Sequence, residues 1–327
     1  MLFLRTLFLA SVLLISSLNN AAGYVEKDHY LYPIMIDIRY KRYDEAMVKL
    51  EPYAKQGDAQ ALFWYGYMKQ SNWGRDRFAA YRWYEKSIEG GNPYSMFKLS
   101  GEDGTDYVCD VNGWECAEDN LDKAIQRWGE LAEQGDVRAE YYLRYYDRSF
   151  LQIGYDAWLS DDNERAIIKA AKKGYYRPLA RSTGIAYRAK KSYRERWGDE
   201  MYQVLLDNID KDPEIAMHFV YEPYEGMTDL ERRNILLNSF KKGYQVSGFS
   251  LFIENNLISK EEAYIISGAQ LLGTEEEYDK KFHAEMFDVP EKKISYLDKR
   301  SEEFFNSIEH VVNFDEMEFM YFSQPDV

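Results

Sequence analysis

The chain has 327 residues, 46% hydrophobic and 30% charged, enough apolar material for one large core or a longer stacked one. With 16% aromatics, 29 Tyr and only 8 Pro, it is neither disordered nor collagen-like. The net charge of −15 leaves no basic surplus to neutralise phosphates, which argues against nucleic acid as a partner.

Residues 1–22 read as a secretory signal peptide. One Arg precedes an apolar run from Leu7 to Ile15, and small residues close the segment at Ala21-Ala22-Gly23, so cleavage is expected near Ala22. The run falls short of the roughly 20 apolar residues that cross a bilayer, so no membrane insertion is expected after cleavage. The cleavage site carries no Cys and the chain no Asn-x-Ser/Thr sequon, which suits a bacterial periplasmic protein.

Gly-anchored junctions then recur at Gly57, Gly91, Gly135 and Gly174, at intervals of 34 (57 to 91), 44 (91 to 135) and 39 (135 to 174). An amphipathic segment precedes each of the first three, with Ala46, Ala80 and Ala124 eleven residues before the glycine. Asp58, Asn92 and Asp136 follow the glycines, where a side-chain oxygen can cap a new helix. Ala61, Ser95 and Ala139 stand four residues after them, and Tyr65, Leu99 and Leu143 eight after. These are helical spacings, and the unit is helix, turn, helix. Such a unit cannot bury its apolar face alone and stacks on its neighbours.

The phrase from Gly57 to Gly66, with Ala61 and Tyr65 in register, and the segment Asp76 to Gly91, with Ala80, Trp83 and Tyr84, resemble the Sel1-like repeat family, relatives of tetratricopeptide repeats. The third unit departs from the pattern at Arg144, where Gly is expected, and the fourth keeps mainly Lys169 to Gly174. The resemblance covers roughly residues 38–190. It implies an all-α fold, an α-solenoid of stacked antiparallel helix pairs over 24–190, followed at 191–327 by degenerate helical repeats and an acidic helical segment.

The 44-residue interval holds both cysteines. In an oxidising compartment Cys109 and Cys116 are expected to pair as a structural clip on a protruding loop. A calcium loop drawn through Asp110, Asn112, Gly113 and Asp119 would begin at Val108, which offers no oxygen, so a turn-rich disulfide loop is the better reading.

Further on, a degenerate unit centres on Gly243, where Gly-Tyr recurs as at Gly174-Tyr175. Ser259 leading into Glu261-Glu262 predicts a capped helix. Leu271 to Val327 hold 6 Lys/Arg and 15 Asp/Glu, a net of −9, and an amphipathic helix is expected from Ile294 to Phe314.

Catalytic motifs are missing. His29, His218, His283 and His310 are scattered without zinc-ligand spacing, and there is neither a nucleophile elbow nor a phosphate-binding glycine loop. The chain therefore reads as a non-enzyme with no cofactor and no metal. Offsets of three, seven and ten from the junction glycine select Gln60, Trp64 and Tyr67 in the first unit and Arg138, Tyr142 and Tyr145 in the third. They share one helix face, separate from the core-facing offsets of four and eight. Inner helices of stacked pairs line a concave surface, and Tyr, Trp and Arg dominate interfaces. These six are the candidate protein-binding residues.

The family resemblance implies an adaptor that binds another protein. For an exported member it implies an immunity protein that occludes a secreted antibacterial effector, for example a phospholipase. An envelope scaffold for a secretion or polysaccharide system is the alternative, and a motif-free hydrolase a remote one.

Overall fold

The structure is a computed structural model that describes residues 25, 27–71, 77–101, 109–110, 113–146, 161–179, 199–217, 227–244, 247–248, 250–251, 257–274, 280–312 and 315–317. These are all-α, with no strand among them. The expected signal segment, the domain boundary at 190 and His218 lie outside the described residues. No described helix is long and apolar enough to cross a membrane.

The chain forms two compact units. The first comprises Met1–Ile38, Tyr43–Asn163 and Val312–Val327, and the second Arg39–Arg42 and Glu164–Val311. Val312 and Asp315 to Met317, late in the chain, thus return to the first unit.

In the first unit, α1 (Leu31–Arg39), α2 (Tyr43–Lys55), α3 (Ala59–Ser71), α4 (Arg77–Glu89), α5 (Pro93–Lys98), α6 (Asp119–Glu133) and α7 (Val137–Tyr146) follow in order. From α2 to α7 each helix packs on the next. The junction residues explain why. Gly57, Gly91 and Gly135 have φ of +83°, +83° and +92°, left-handed values that glycine takes at no steric cost. Each junction closes with the same two backbone bonds, Gly57 N to Ala54 O (3.1 Å) and Asp58 N to Tyr53 O (3.1 Å) in the first. That is the Schellman motif, which satisfies carbonyls the ending helix leaves open.

The next residue starts the following helix. The Asp58 Oδ1 accepts from Ala61 N (2.8 Å) and the Asp136 Oδ1 from Ala139 N (2.9 Å). The Asn92 Oδ1 accepts from both Tyr94 N and Ser95 N (2.9 Å each). Two residues therefore end one helix and cap the next, each cap contributing about 1 kcal/mol.

The alanines eleven before the glycines and the small residues four after them are all fully buried, so paired helices approach closely. Gly66 is one such close place, where a Cβ would come within 3.0 Å of the Tyr84 ring. The clip is formed, with Cys109 and Cys116 bonded and their Cα atoms 6.0 Å apart. Its described part does not protrude as expected. Trp114 is buried with its ring 5.8 Å from that of Tyr84, and Tyr81 donates to the Glu115 carbonyl (2.9 Å). An indole leaves water more readily than a charged tip does, and it draws the loop back onto α4.

The second unit contains α8 (Asp161–Lys172, entering from the first unit), α9 (Asp199–Leu206), a 3-10 turn (Pro213–Met217), α10 (Asp229–Lys241), α11 (Lys260–Leu272), α12 (Lys280–Met286) and α13 (Glu291–Asn306). Gly174 and Gly243 repeat the junction, with φ of +102° and +93° and the same pair of backbone bonds. A serine pair strengthens the equivalence of Gly243 with Gly91. Ser87 and Ser95, four residues either side of Gly91, share a bond of 2.7 Å. Ser239 and Ser247, four either side of Gly243, do the same at 2.7 Å. The Ser87 and Ser239 hydroxyls also reach a carbonyl of an earlier segment, Ala59 O and Pro213 O.

The expected capping box is present at Ser259 and Glu262, and a second lies at Thr228 and Glu231. The helix expected over 294–314 stops at Asn306. Beyond it, Glu309 N and Val311 N bond to the carbonyls of Lys241 and Lys242 (2.8 and 2.9 Å). Open carbonyls at the end of α10 capture a segment that the apolar spacing alone would continue as helix.

Candidate functional site

Three consecutive junctions place the residue at offset three on α3, α5 and α7, namely Gln60, Tyr94 and Arg138. The guanidinium of Arg138 lies 4.3 Å from the centre of the Tyr94 ring, a cation–π contact. Glu316, from the returning C-terminal segment, completes the group. Its Oε2 forms an ion pair with Arg138 Nη1, and its Oε1 accepts from Gln60 Nε2 (3.3 Å). Both charged side chains are buried, at 6% and 1% exposure.

Burial works against the charge of Arg138, but Glu316 together with Tyr94, Asp136 and Asp315 more than offsets this and holds its pKa well above the ordinary value. Burial also pushes the Glu316 carboxyl up, while Arg138 pulls it down. A guanidinium does not deprotonate in a protein, so the glutamate facing it stays paired.

Val312, Asp315 and Met317 of the same segment are buried too. Val25 N donates to the Val312 carbonyl (3.0 Å), and Met317 N to the Asp315 side chain (3.1 Å). None of these residues belongs to a helix. The chain thus lays a non-helical piece of itself against the offset-three residues of its own junctions.

The six candidate residues fare unequally. Gln60 and Arg138 meet through Glu316. Trp64 is fully buried, and Arg138 and Tyr142 are 5% and 6% exposed. Tyr67 is half-buried, its ring edge-on to Trp64 at 5.7 Å. Only Tyr145 is exposed, at 40%. The expected open aromatic surface is therefore corrected. Trp64 and Tyr142 form interior, Tyr142 against Tyr94 and Trp128 (6.2 and 5.6 Å). Conversely Tyr65, expected in the core, is half-buried against Trp83 at 4.5 Å. The reason is that α3 has neighbours on both sides, so its apolar residues run nearly all the way round and no one offset marks the outward face.

Sequence reasoning missed Tyr94, Glu316, Lys98 and Arg177. Tyr94 and Lys98 hold offsets three and seven of the second junction, and Arg177 holds offset three of the fourth, so the period contained three of the four. Arg177 is buried and pairs with Glu214 at 2.8 Å. Both arginines at this offset therefore meet a glutamate from outside their own junction. Glu316 carried no periodic signal.

Among the described residues no three His, Cys, Asp or Glu side chains are grouped to hold a metal ion. In comparisons with known proteins, no family model matches the chain and no curated protein matches it.

Proposed function

We propose that this chain is an exported protein-binding repeat protein, a solenoid of Sel1-like helix pairs whose inner face takes a non-helical segment of a partner. The observation that carries the reading is the seating of Glu316, from a non-helical segment of the chain itself, against Gln60 and Arg138, with Tyr94 stacked on the guanidinium. A face that already holds one stretch of polypeptide by side-chain contacts has the chemistry to hold another. Successive junctions present the same offset, so the face extends as the repeat does.

Within that reading, the role we favour is immunity, in which the protein occludes a secreted antibacterial effector in the periplasm. Its support is the sequence resemblance together with the signal-like N-terminal segment and the clip. The test is co-expression with the product of the adjacent gene directed to the periplasm. Immunity predicts restored growth and a complex that co-purifies at a fixed ratio. Growth unaffected by this chain, with no complex between the two purified proteins, would reject the role.

A further inference from the structure

We propose that Gln60, Tyr94 and Arg138 form a receptor for a glutamate side chain on a non-helical stretch of polypeptide. Glu316 fills it in cis, and an acidic segment of the partner takes it over in the complex. This inference rests on the protein-binding reading and names the chemistry that the partner presents.

The two carboxylate oxygens are read separately, one by the Gln60 amide and one by the Arg138 guanidinium. The Tyr94 ring fixes the guanidinium plane from one face. An uncharged amide in place of the carboxylate would keep one acceptor oxygen but bring two N–H donors against Arg138, which has donors only. An aspartate would fall one methylene short.

The three receptor residues come from separate helices and share one position of the repeat, so the receptor is built by the periodic part of the chain. The occupant comes from 178 residues beyond Arg138 and outside every helix. The neighbours of Glu316 set the second requirement, since Asp315 and Met317 on either side of it are buried with it. The fitting ligand is a glutamate that follows an aspartate and precedes an apolar residue, as Glu316 does. At a net charge of −15, the protein's field repels such a ligand close in, and physiological salt screens it beyond about 8 Å. Direct bonds, not steering, therefore select it.

A tethered segment competes at an effective concentration in the millimolar range, so the intact protein binds a free ligand weakly until the tether's own contact is impaired. The probe is a labelled peptide, acetyl-His-Val-Val-Asn-Phe-Asp-Glu-Met-amide, which copies residues 310–317. Full-length Glu316→Gln protein is expected to bind it at least about tenfold more tightly than wild type. The same peptide carrying Gln at its Glu position is expected to lose that gain. Equal binding of both peptides by a folded Glu316→Gln protein overturns the receptor.

Should that variant not fold, hydrogen exchange on the wild-type protein decides. Excess Glu peptide is expected to speed exchange at the Met317 amide, and the Gln peptide is not. No difference between them overturns the proposal. A partner that binds the chain yet is not displaced by the Glu peptide leaves the protein-binding reading intact and rejects the receptor. Peptide binding without any partner rejects the reading and keeps the receptor.

Discussion

Arg138 and Glu316 stand 178 residues apart in the chain and form an ion pair with both side chains buried. Removing one member of a buried pair strands a charge, which costs about 3–5 kcal/mol, whereas replacing both with apolar groups of similar volume is often close to neutral. Arg138→Met is therefore expected to lower the denaturant midpoint far more than Arg138→Met/Glu316→Leu does. Because each single change strands a charge that the double change does not, the double-mutant cycle should give a coupling of at least about 3 kcal/mol. Additive effects would show that the pair is not formed in solution.

The junction glycines separate two costs that usually appear together. At Gly57 a Cβ would meet nothing within 4 Å, so Gly57→Ala feels only its φ of +83°. The expected loss is about 1–2 kcal/mol. At Gly243 the φ is +93° and the Cβ would also lie 2.8 Å from His310 Nδ1. Gly243→Ala is expected to lose clearly more in thermal unfolding, and equal losses would mean that His310 does not sit against the junction.

The junctions were legible because everything they need is local. A residue at positive φ, a cap oxygen after it and small residues four on can be read from neighbours in sequence, and the same turn appears at all five glycines. A sixth turn was illegible for the same reason. Asp288, at φ +54°, closes the Schellman bonds to Glu285 and Ala284 without a glycine to announce it. The receptor was half legible. Gln60 and Arg138 follow from the period, but nothing near Glu316 distinguishes it from the other acidic residues of the final segment. Its partners are fixed by a return of the chain that has no periodic trace. The inward turn of Trp64 was lost because α3 is apolar on almost every side, and a face is readable only where polar residues bound it.

The clip bears on both stability and the packing of Trp114. On the chain-entropy model, closing a loop between cysteines seven residues apart stabilises the fold by about 2–3 kcal/mol. Cys109→Ala/Cys116→Ala is expected to lose about that much in chemical denaturation. It should also shift the tryptophan emission to the red, since Trp114 is buried inside the closed loop. A loss of stability with unchanged emission would place the effect wholly in the unfolded chain.

Lys98, at offset seven of the second junction, is 1% exposed, and its Nζ has no hydrogen-bond partner among the described residues. The Tyr84 ring, 5.2 Å from the ammonium, is the favourable contact it retains. Burial lowers its pKa from the ordinary 10.5 to about 7. Because the folded value lies below the unfolded one, the unfolded chain binds the extra proton between pH 7 and 10.5, and stability rises with pH across that window. The slope approaches about 1.4 kcal/mol per pH unit where one proton separates the states. Below pH 7 the folded protein carries the buried charge and bears its full cost. Lys98→Met keeps an unbranched side chain one atom shorter and removes the charge, so it is expected to stabilise the protein at pH 6 and to bring little gain near pH 10.5. Urea midpoints of the two proteins at several pH values check this, and parallel curves would show that the ammonium reaches water.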